Sequence, residues 1–411
     1  MRRTRFDNLD PVRTEKTFQQ FKRWRQERIR KLRNKDYSYT VPNVTPDLEY
    51  LHGNRQHPSL TWIGHSTFLI QLGGLNIVTD PVWAGQMAFQ RRLAPPGMPI
   101  GDMPPVDVVL VSHSHYDHLH IPSLRKLNGP KRLLVPAGLS SKLRLKGFFD
   151  VDELNWWESA RIGDVRFTFV PAQHWTRRTP WDMNRSHWGG WVMEPVAEHP
   201  ETARATKADS GRPAPARESG RSDLAGDSDR SVLPTDNGRS DLAGDSDRSA
   251  LAGESDRSAP ARESGRSDLA GESDRSALAG ESDRSAPAAS SGRPVVSRNP
   301  TLYFAGDSGY FRGFREIGRR FAIDVAMMPI GAYDPEWFMG PQHVTPEEAL
   351  QAFEDTGAGL FVPMHYGAFK LADDTPREAL DRLEAGRAAR GIDEGRIIVL
   401  PHGETWRLDG V

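Results

Sequence analysis

The 411-residue chain balances 54 Lys+Arg against 55 Asp+Glu, a formal charge of −1, and contains no cysteine. The missing thiols exclude disulfides, thiolate zinc sites, Fe–S clusters and a cysteine nucleophile. No apolar run reaches the roughly 18 residues of a membrane-spanning helix, and the basic start MRRTRFDNLDPV lacks the apolar core of a secretory signal.

The near-zero charge is a cancellation. Residues 1–35 hold 13 basic and 4 acidic side chains, so the rest of the chain is acidic, which argues against nucleic-acid binding. Within this arm, EKTFQQFKRWRQERIRKLRNK (15–35) has helical spacing. Phe18, Phe21, Trp24, Ile29 and Leu32 fall on one face, and Lys and Arg fill most of the other. Such a helix either docks its aromatic stripe on the body or lies on an anionic membrane as a peripheral contact.

From Ser59 the pattern changes to short strands: SLTWIGH, TFLIQL and LNIVTD, with Gly73-Gly74 as a hairpin turn. VDVVLVS (106–112) is a continuous apolar run, as in a buried central strand. IPSLRKL and LSSKLRLKG read as helices around the strand RLLVP, and ARIGDVRFTFVPA and WGGWVME as further strands. After residue 300, strands TLYFAGD, IDVAMMPIG, AGLFVPMH and RIIVLP alternate with helices YFRGFREIGRRF, TPEEALQAFEDTG and TPREALDRLEAGRAARG. Blocks of strands with helices between them predict a layered α/β domain over 56–411, preceded by a basic extension over 1–55.

Residues 197–296 interrupt that domain. They contain no aromatic residue, but 18 Ser, 14 basic and 19 acidic side chains. Leu224, Leu233, Leu242, Leu251, Leu269 and Leu278 fall on one nine-residue register, with Pro260 and Pro287 on it too. A segment so poor in apolar surface cannot offset the entropy of ordering its backbone, so a disordered repeat insertion is expected.

The chemistry concentrates where the buried strand ends. His113, His115, Asp117 and His118 form an H-x-H-x-D-H array. In extended backbone His113 and His115 point the same way and can reach one ion, while Asp117 and His118 face a second. Imidazole and carboxylate without thiolate suit zinc, with manganese or iron as alternatives. His174, Asp307 and His365 each follow a later strand and fit convergence on the same rim.

With these residues in view, the chain resembles the metallo-β-lactamase superfamily of binuclear hydrolases. It looks most like the branch of N-acyl-phosphatidylethanolamine-hydrolysing phospholipases D. The resemblance rests on WIGHSTFLIQ (62–71), TDPVW (79–83), PPVDVVLVSHSHYDHL (104–119), WWE (156–158) and PAQHWTRRTPWDMN (171–184). It continues in FAGDSGYF (304–311), FREIGRRF (314–321), PIGAYDPEWFM (329–339), QHVTPEEA (342–349) and MHYGAF (364–369). It does not extend to residues 1–55.

The resemblance implies a four-layer αββα sandwich and two zinc ions. His113, His115 and His174 would bind the first ion, Asp117, His118 and His365 the second, with Asp307 bridging. Asp80 would hold a ligand histidine in its tautomer. A hydroxide between the metals would attack the phosphodiester, releasing an N-acylethanolamine and a phosphatidate. Asp117 would take a proton, His343 would contact the substrate or protonate the leaving group, and Tyr116 and Trp175 would wall the pocket. Arg177 and Arg178 either attract lipid phosphate or cover a solvated face. The resemblance also implies a phospholipid or related phosphodiester partner and a homodimer. A cytoplasmic place is expected, with peripheral membrane contact resting on the basic helix alone. The same array leaves open a binuclear hydrolase of a lactone, a cyclic phosphodiester or an RNA.

Overall fold

The computed structural model describes residues 5–14, 16–87, 90–196 and 293–411. The repeats, and the disorder expected of them, lie outside the described residues. Residues 293–296, which composition assigns to the insertion, are tied to the end of the chain. Arg293 pairs with Glu404 at 2.8 Å, Trp406 Nε1–H donates to the Pro294 carbonyl, and Val296 N–H donates to that of Leu408.

The chain opens with α1 (Phe18–Lys31), started by a reciprocal cap between Thr17 and Gln20. This is shorter than the expected 15–35 helix, and its apolar residues do not share one docked face. Trp24 stacks flat on Phe338 with centroids 5.2 Å apart, whereas Phe18 is 83 % and Ile29 56 % exposed. Ion pairs of Lys31 with Asp334 (3.0 Å) and Arg28 with Asp373 (3.3 Å) anchor the helix to the body.

The first sheet begins with a meander after α2 (Leu48–Gly53): β1 (Ser59–Gly64), β2 (Thr67–Leu72) and β3 (Leu75–Thr79). Gly73 and Gly74 have φ of 55° and 78°, the left-handed pair that a tight hairpin requires. A two-stranded ribbon, β4 (Gln86–Met87) and β5 (Gln90–Arg91), precedes β6 (Val108–Leu110), α3 (Ile121–Lys126), β7 (Arg132–Pro136), α4 (Ser140–Arg144) and β8 (Val151–Leu154). Strands β6, β7 and β8 extend the meander in parallel. Alternation sorts the two faces. Trp62, Phe68, Ile70, Val108 and Leu110 face the second sheet. Ile63, Leu69, Val78 and Val109 meet Leu51, Leu124 and Leu143 of the covering helices.

The second sheet holds antiparallel β9 (Ser159–Ile162), β10 (Val165–Val170) and β11 (Gly190–Pro195), then β12 (Leu302–Phe304), β13 (Val325–Pro329) and β14 (Leu360–Met364), which run parallel to one another. Its helices are α5 (Gly313–Arg320), α6 (Glu336–Met339), α7 (Pro346–Thr356) and α8 (Pro376–Arg390). In α7 and α8 the TPEE and TPRE starts place Thr at the cap, Pro in the first turn and Glu three residues on. Left-handed Gly357 and Gly391 end them.

Helices therefore cover the outer faces of two packed sheets, the αββα sandwich expected. RIIVLP is not a strand. It makes one bridge, Ile397 to Phe361, and then crosses to the first sheet, where β15 (Thr405–Arg407) pairs with β1. The chain segments leaving β1, β3, β6, β10, β12 and β14 carry the residues of one rim.

Candidate metal centre

The rim is built by backbone turns that few residues tolerate. Asp80 leaves β3 with φ 32°, and His365 leaves β14 with φ 62°. Gly306, at φ 62°, admits no side chain: a Cβ there would lie 2.7 Å from Ser112 Cβ and 2.9 Å from the Gly189 carbonyl. That close approach brings Asp307 beside the loop that leaves β6.

All seven expected ligands meet there. His113, His115 and His174 form one nest whose donor atoms lie within 4.8 Å of one another, and His65, Asp117, His118 and His365 form a second. His115 Nδ1 is 2.9 Å from His113 Nε2 and 3.2 Å from His174 Nε2. In the second nest His118 Nε2 and His365 Nε2 are 3.2 Å apart, each 3.1 Å from an oxygen of Asp307. Asp307 also lies 4.0 Å from His113 and 3.9 Å from His174, so its carboxylate spans the two nests.

Hydrogen bonds behind the rim set the tautomers. Ser112 Oγ–H donates to Asp80 at 2.6 Å and so accepts from His113 Nδ1–H at 2.9 Å. His118 Nδ1–H donates to the same carboxylate at 2.7 Å. His174 Nδ1–H donates to the Gln342 carbonyl at 2.9 Å. His113 and His174 therefore turn an unprotonated Nε2 into the site. Burial opposes a charge on His118, but Asp307, Asp117 and Asp80 raise that imidazole well above its ordinary value, so a cation bound there would displace its Nε2 proton.

Electrostatics favour a cation. Burial keeps His113 well below its ordinary value, His115 down at about 3 and His174 at about 4, so all three imidazoles are neutral. Burial opposes ionisation of Asp117 and Asp307 too, but the charge on His118, joined at Asp307 by that on His365, outweighs it and holds both well below the carboxylate range. Asp307 Oδ1 is buried without a hydrogen bond, and His115 Nε2, His343 Nδ1 and His365 Nδ1 share that condition. A buried carboxylate oxygen facing several imidazoles is costly unless a cation completes it. The all-nitrogen-and-oxygen donor set fits zinc, manganese or iron.

The remaining expected residues fall around the centre. His343 Nδ1 is 3.8 Å from Asp307, and its ring stacks 5.5 Å from that of His365. Tyr116 is half exposed, and its hydroxyl donates to the Arg178 carbonyl. Trp175 packs edge-on against His115 at 4.6 Å. Both line a cleft of about 580 Å³ with Asp117, Asp307 and His343 at its base and Met87, Met339 and Leu371 in its wall. Arg177 is exposed. Arg178 instead braces the array, donating to the carbonyls of Ser114 at 2.7 Å and Leu119 at 2.9 Å.

His65 is the residue that pattern reading passes over. It sits at φ 57° in the turn between β1 and β2, with Nε2 3.2 Å from Asp117. Its one signal is a polar GHS turn between two apolar strands.

A family model described as the beta-lactamase superfamily domain matches residues 75–208 and 274–366. An uncharacterized protein of Mycobacterium tuberculosis is 26% identical over 359 residues, covering 84% of this chain and 68% of its own. An N-acyl-phosphatidylethanolamine-hydrolyzing phospholipase D 1 of Caenorhabditis elegans is 25% identical over 369 residues, covering 84% of this chain and 74% of its own. A metal-dependent hydrolase of Geobacillus thermodenitrificans is 39% identical over 105 residues, 26% of this chain and 42% of its own.

Proposed function

Because the chain belongs to the metallo-β-lactamase superfamily and is a metal-dependent hydrolase, we propose that it cleaves phospholipids as a phospholipase D. Its substrates are N-acyl-phosphatidylethanolamine-like diesters, and its products an N-acylethanolamine and a phosphatidate. The observation that carries this reading is the cleft. Its base is the His/Asp centre, and Met87, Trp175, Met339 and Leu371 line its wall, a combination suited to a phosphodiester with apolar chains. The named relative from Caenorhabditis elegans supports the same substrate class.

His113, His115 and His174 would hold one zinc ion, Asp117, His118 and His365 the other, and Asp307 would serve both. Bound there, the ions supply Lewis acidity and a nucleophile at neutral pH. The chain's own groups do the rest. Water oxygen joins phosphorus, the bond from phosphorus to the N-acylethanolamine oxygen breaks, and that oxygen leaves with the proton that water loses, relayed through Asp117. Asp117, kept ionised, accepts the proton that water gives up. Burial keeps His343 well below its ordinary value, so it enters as a neutral imidazole that hydrogen-bonds a substrate oxygen. Tyr116 and Trp175 flank the acyl portion.

The exposed face of α1 supports a membrane partner. Phe18, Lys22, Arg25, Ile29 and Arg33 are all exposed, at the spacing of one helical stripe. This face would rest on the anionic cytoplasmic leaflet while Trp24, on the other side, meets Phe338 beside the cleft. Among the described residues no helix is long and apolar enough to cross a membrane.

The test is zinc-loaded protein given N-acyl-phosphatidylethanolamine in detergent micelles, bis-p-nitrophenyl phosphate, a lactone panel and a precursor RNA. Cleavage of the lipid at the ethanolamine-side bond is expected. Turnover of the small diester with the lipid untouched ends the phospholipase assignment and leaves the metal centre standing.

A further inference from the structure

Asn8, in the arm that sequence reading separates from the hydrolase domain, grips the backbone of His174. Its Nδ2–H donates to the His174 carbonyl and its Oδ1 accepts from the His174 N–H, each at 3.0 Å. Trp188 Nε1–H donates to the same Oδ1 at 3.0 Å. One primary amide thus pairs with both polar groups of a residue, as a neighbouring strand would. The substitution falls where the ladder runs out. His174 lies four residues beyond β10, just after Gln173 makes its last bridge, to Gly309.

The grip is part of an extended strap. Phe6 stacks on His187 at 4.4 Å and 19°, and its N–H donates to the Asn184 carbonyl. Asp10 pairs with Arg312 at 2.9 Å. Leu9 packs on the core between these two anchors, so consecutive residues of the arm are fixed to the body. With its backbone held by Asn8 and its Nδ1–H by the Gln342 carbonyl, His174 has one direction left for Nε2, toward His115 and Asp307.

We propose that Asn8 is a positioning residue of the metal centre: the N-terminal arm, through a single amide, aims His174 at the first ion. The proposal rests on the reading of His174 as a ligand. Removing a partner from behind a ligand costs about 10–100-fold in metal affinity.

The experiment titrates the full-length apoprotein with Co²⁺, followed by visible absorption, and measures Zn²⁺ affinity by chelator competition. Asn8→Ala, Asn8→Asp, Asp10→Ala and His174→Ala are compared with the parent chain. Asn8→Ala is expected to weaken first-ion affinity about 10–100-fold and to alter the cobalt band, whereas Asp10→Ala, which loses only a surface pair of the same strap, binds as the parent does. Asn8→Asp keeps the acceptor for the His174 N–H and for Trp188 but turns an oxygen on the His174 carbonyl. It preserves the strap against misfolding and is expected to weaken binding as well. Parent-like spectra and affinity in either folded Asn8 variant, with the ion lost in His174→Ala, overturn the proposal. Parent-like binding by His174→Ala overturns the ligand reading instead.

Discussion

At the scale of single residues, the centre depends on groups that never touch an ion. Asp80 accepts from Ser112 N–H at 2.7 Å, from Ser112 Oγ–H and from His118 Nδ1–H. An amide at this position must turn its NH₂ against one of those donors. Asp80→Asn is therefore expected to lower metal affinity and turnover about 10–100-fold with little change in KM, checked by metal analysis and steady-state kinetics. His187 lies away from the centre, packed between Phe6 and Trp156. Burial lowers it from 6.5 to about 3, so the unfolded chain takes up its proton first. The stability this gives is complete above pH 6.5 and is lost as pH falls toward 3, at up to about 1.4 kcal/mol per pH unit. His187→Phe keeps the stack and should flatten that acid limb in thermal melts between pH 6.5 and 4. A slope unchanged from the parent would rule out His187 as its source. The four donors packed into residues 113–118 were legible in the sequence because one loop carries them all. His65 and Asn8 were not. A lone histidine in a turn has no pattern, and Asn8 acts on a residue 166 positions away.

At the scale of elements, caps and periodicity carried most of the fold. TPEE and TPRE announced α7 and α8, and the apolar runs announced the strands that lead to His113, His174, Asp307 and His365. RIIVLP failed because apolar character identifies burial and not which strand is paired. The five-residue periodicity argument in α1 failed for a related reason: spacing groups residues on a helix but does not say which side meets the body. The outcome leaves Phe18 and Ile29 in solvent among the exposed Lys22, Arg25 and Arg33. Replacing both by Ser should reduce co-sedimentation with phosphatidylserine-containing vesicles by about tenfold or more, given the apolar surface each contributes. Turnover of bis-p-nitrophenyl phosphate should not change. Equal vesicle binding would remove α1 from the membrane reading.

At the scale of the whole molecule, ions would tie the two sheets together. His113, His115, Asp117 and His118 come from the first sheet, and His174, Asp307 and His365 from the second. Ligands that bind only the folded state stabilise it by mass action, so EDTA should lower Tm by several degrees and added zinc should restore it. A Tm insensitive to chelation would mean that the centre contributes nothing to holding the sheets. The insertion is the second whole-molecule question. Its described flanks are tied independently, Val196 N–H to the Asp164 carbonyl and Arg293 to Glu404. Replacing residues 203–291 with a flexible Gly/Ser linker should leave metal content and turnover near the parent's. A large loss of either would show that the repeats support the domain. The pairing of β15 with β1 has a consequence for biosynthesis. The first sheet lacks its outermost strand until residues 405–407 have been made, and His118 waits for His365, 247 positions later. At ribosomal speeds of roughly 5–20 residues per second, those two donors emerge about 12–50 s apart. A nascent chain thus displays half a centre throughout that interval, and full metal capture waits for the strand that carries His365.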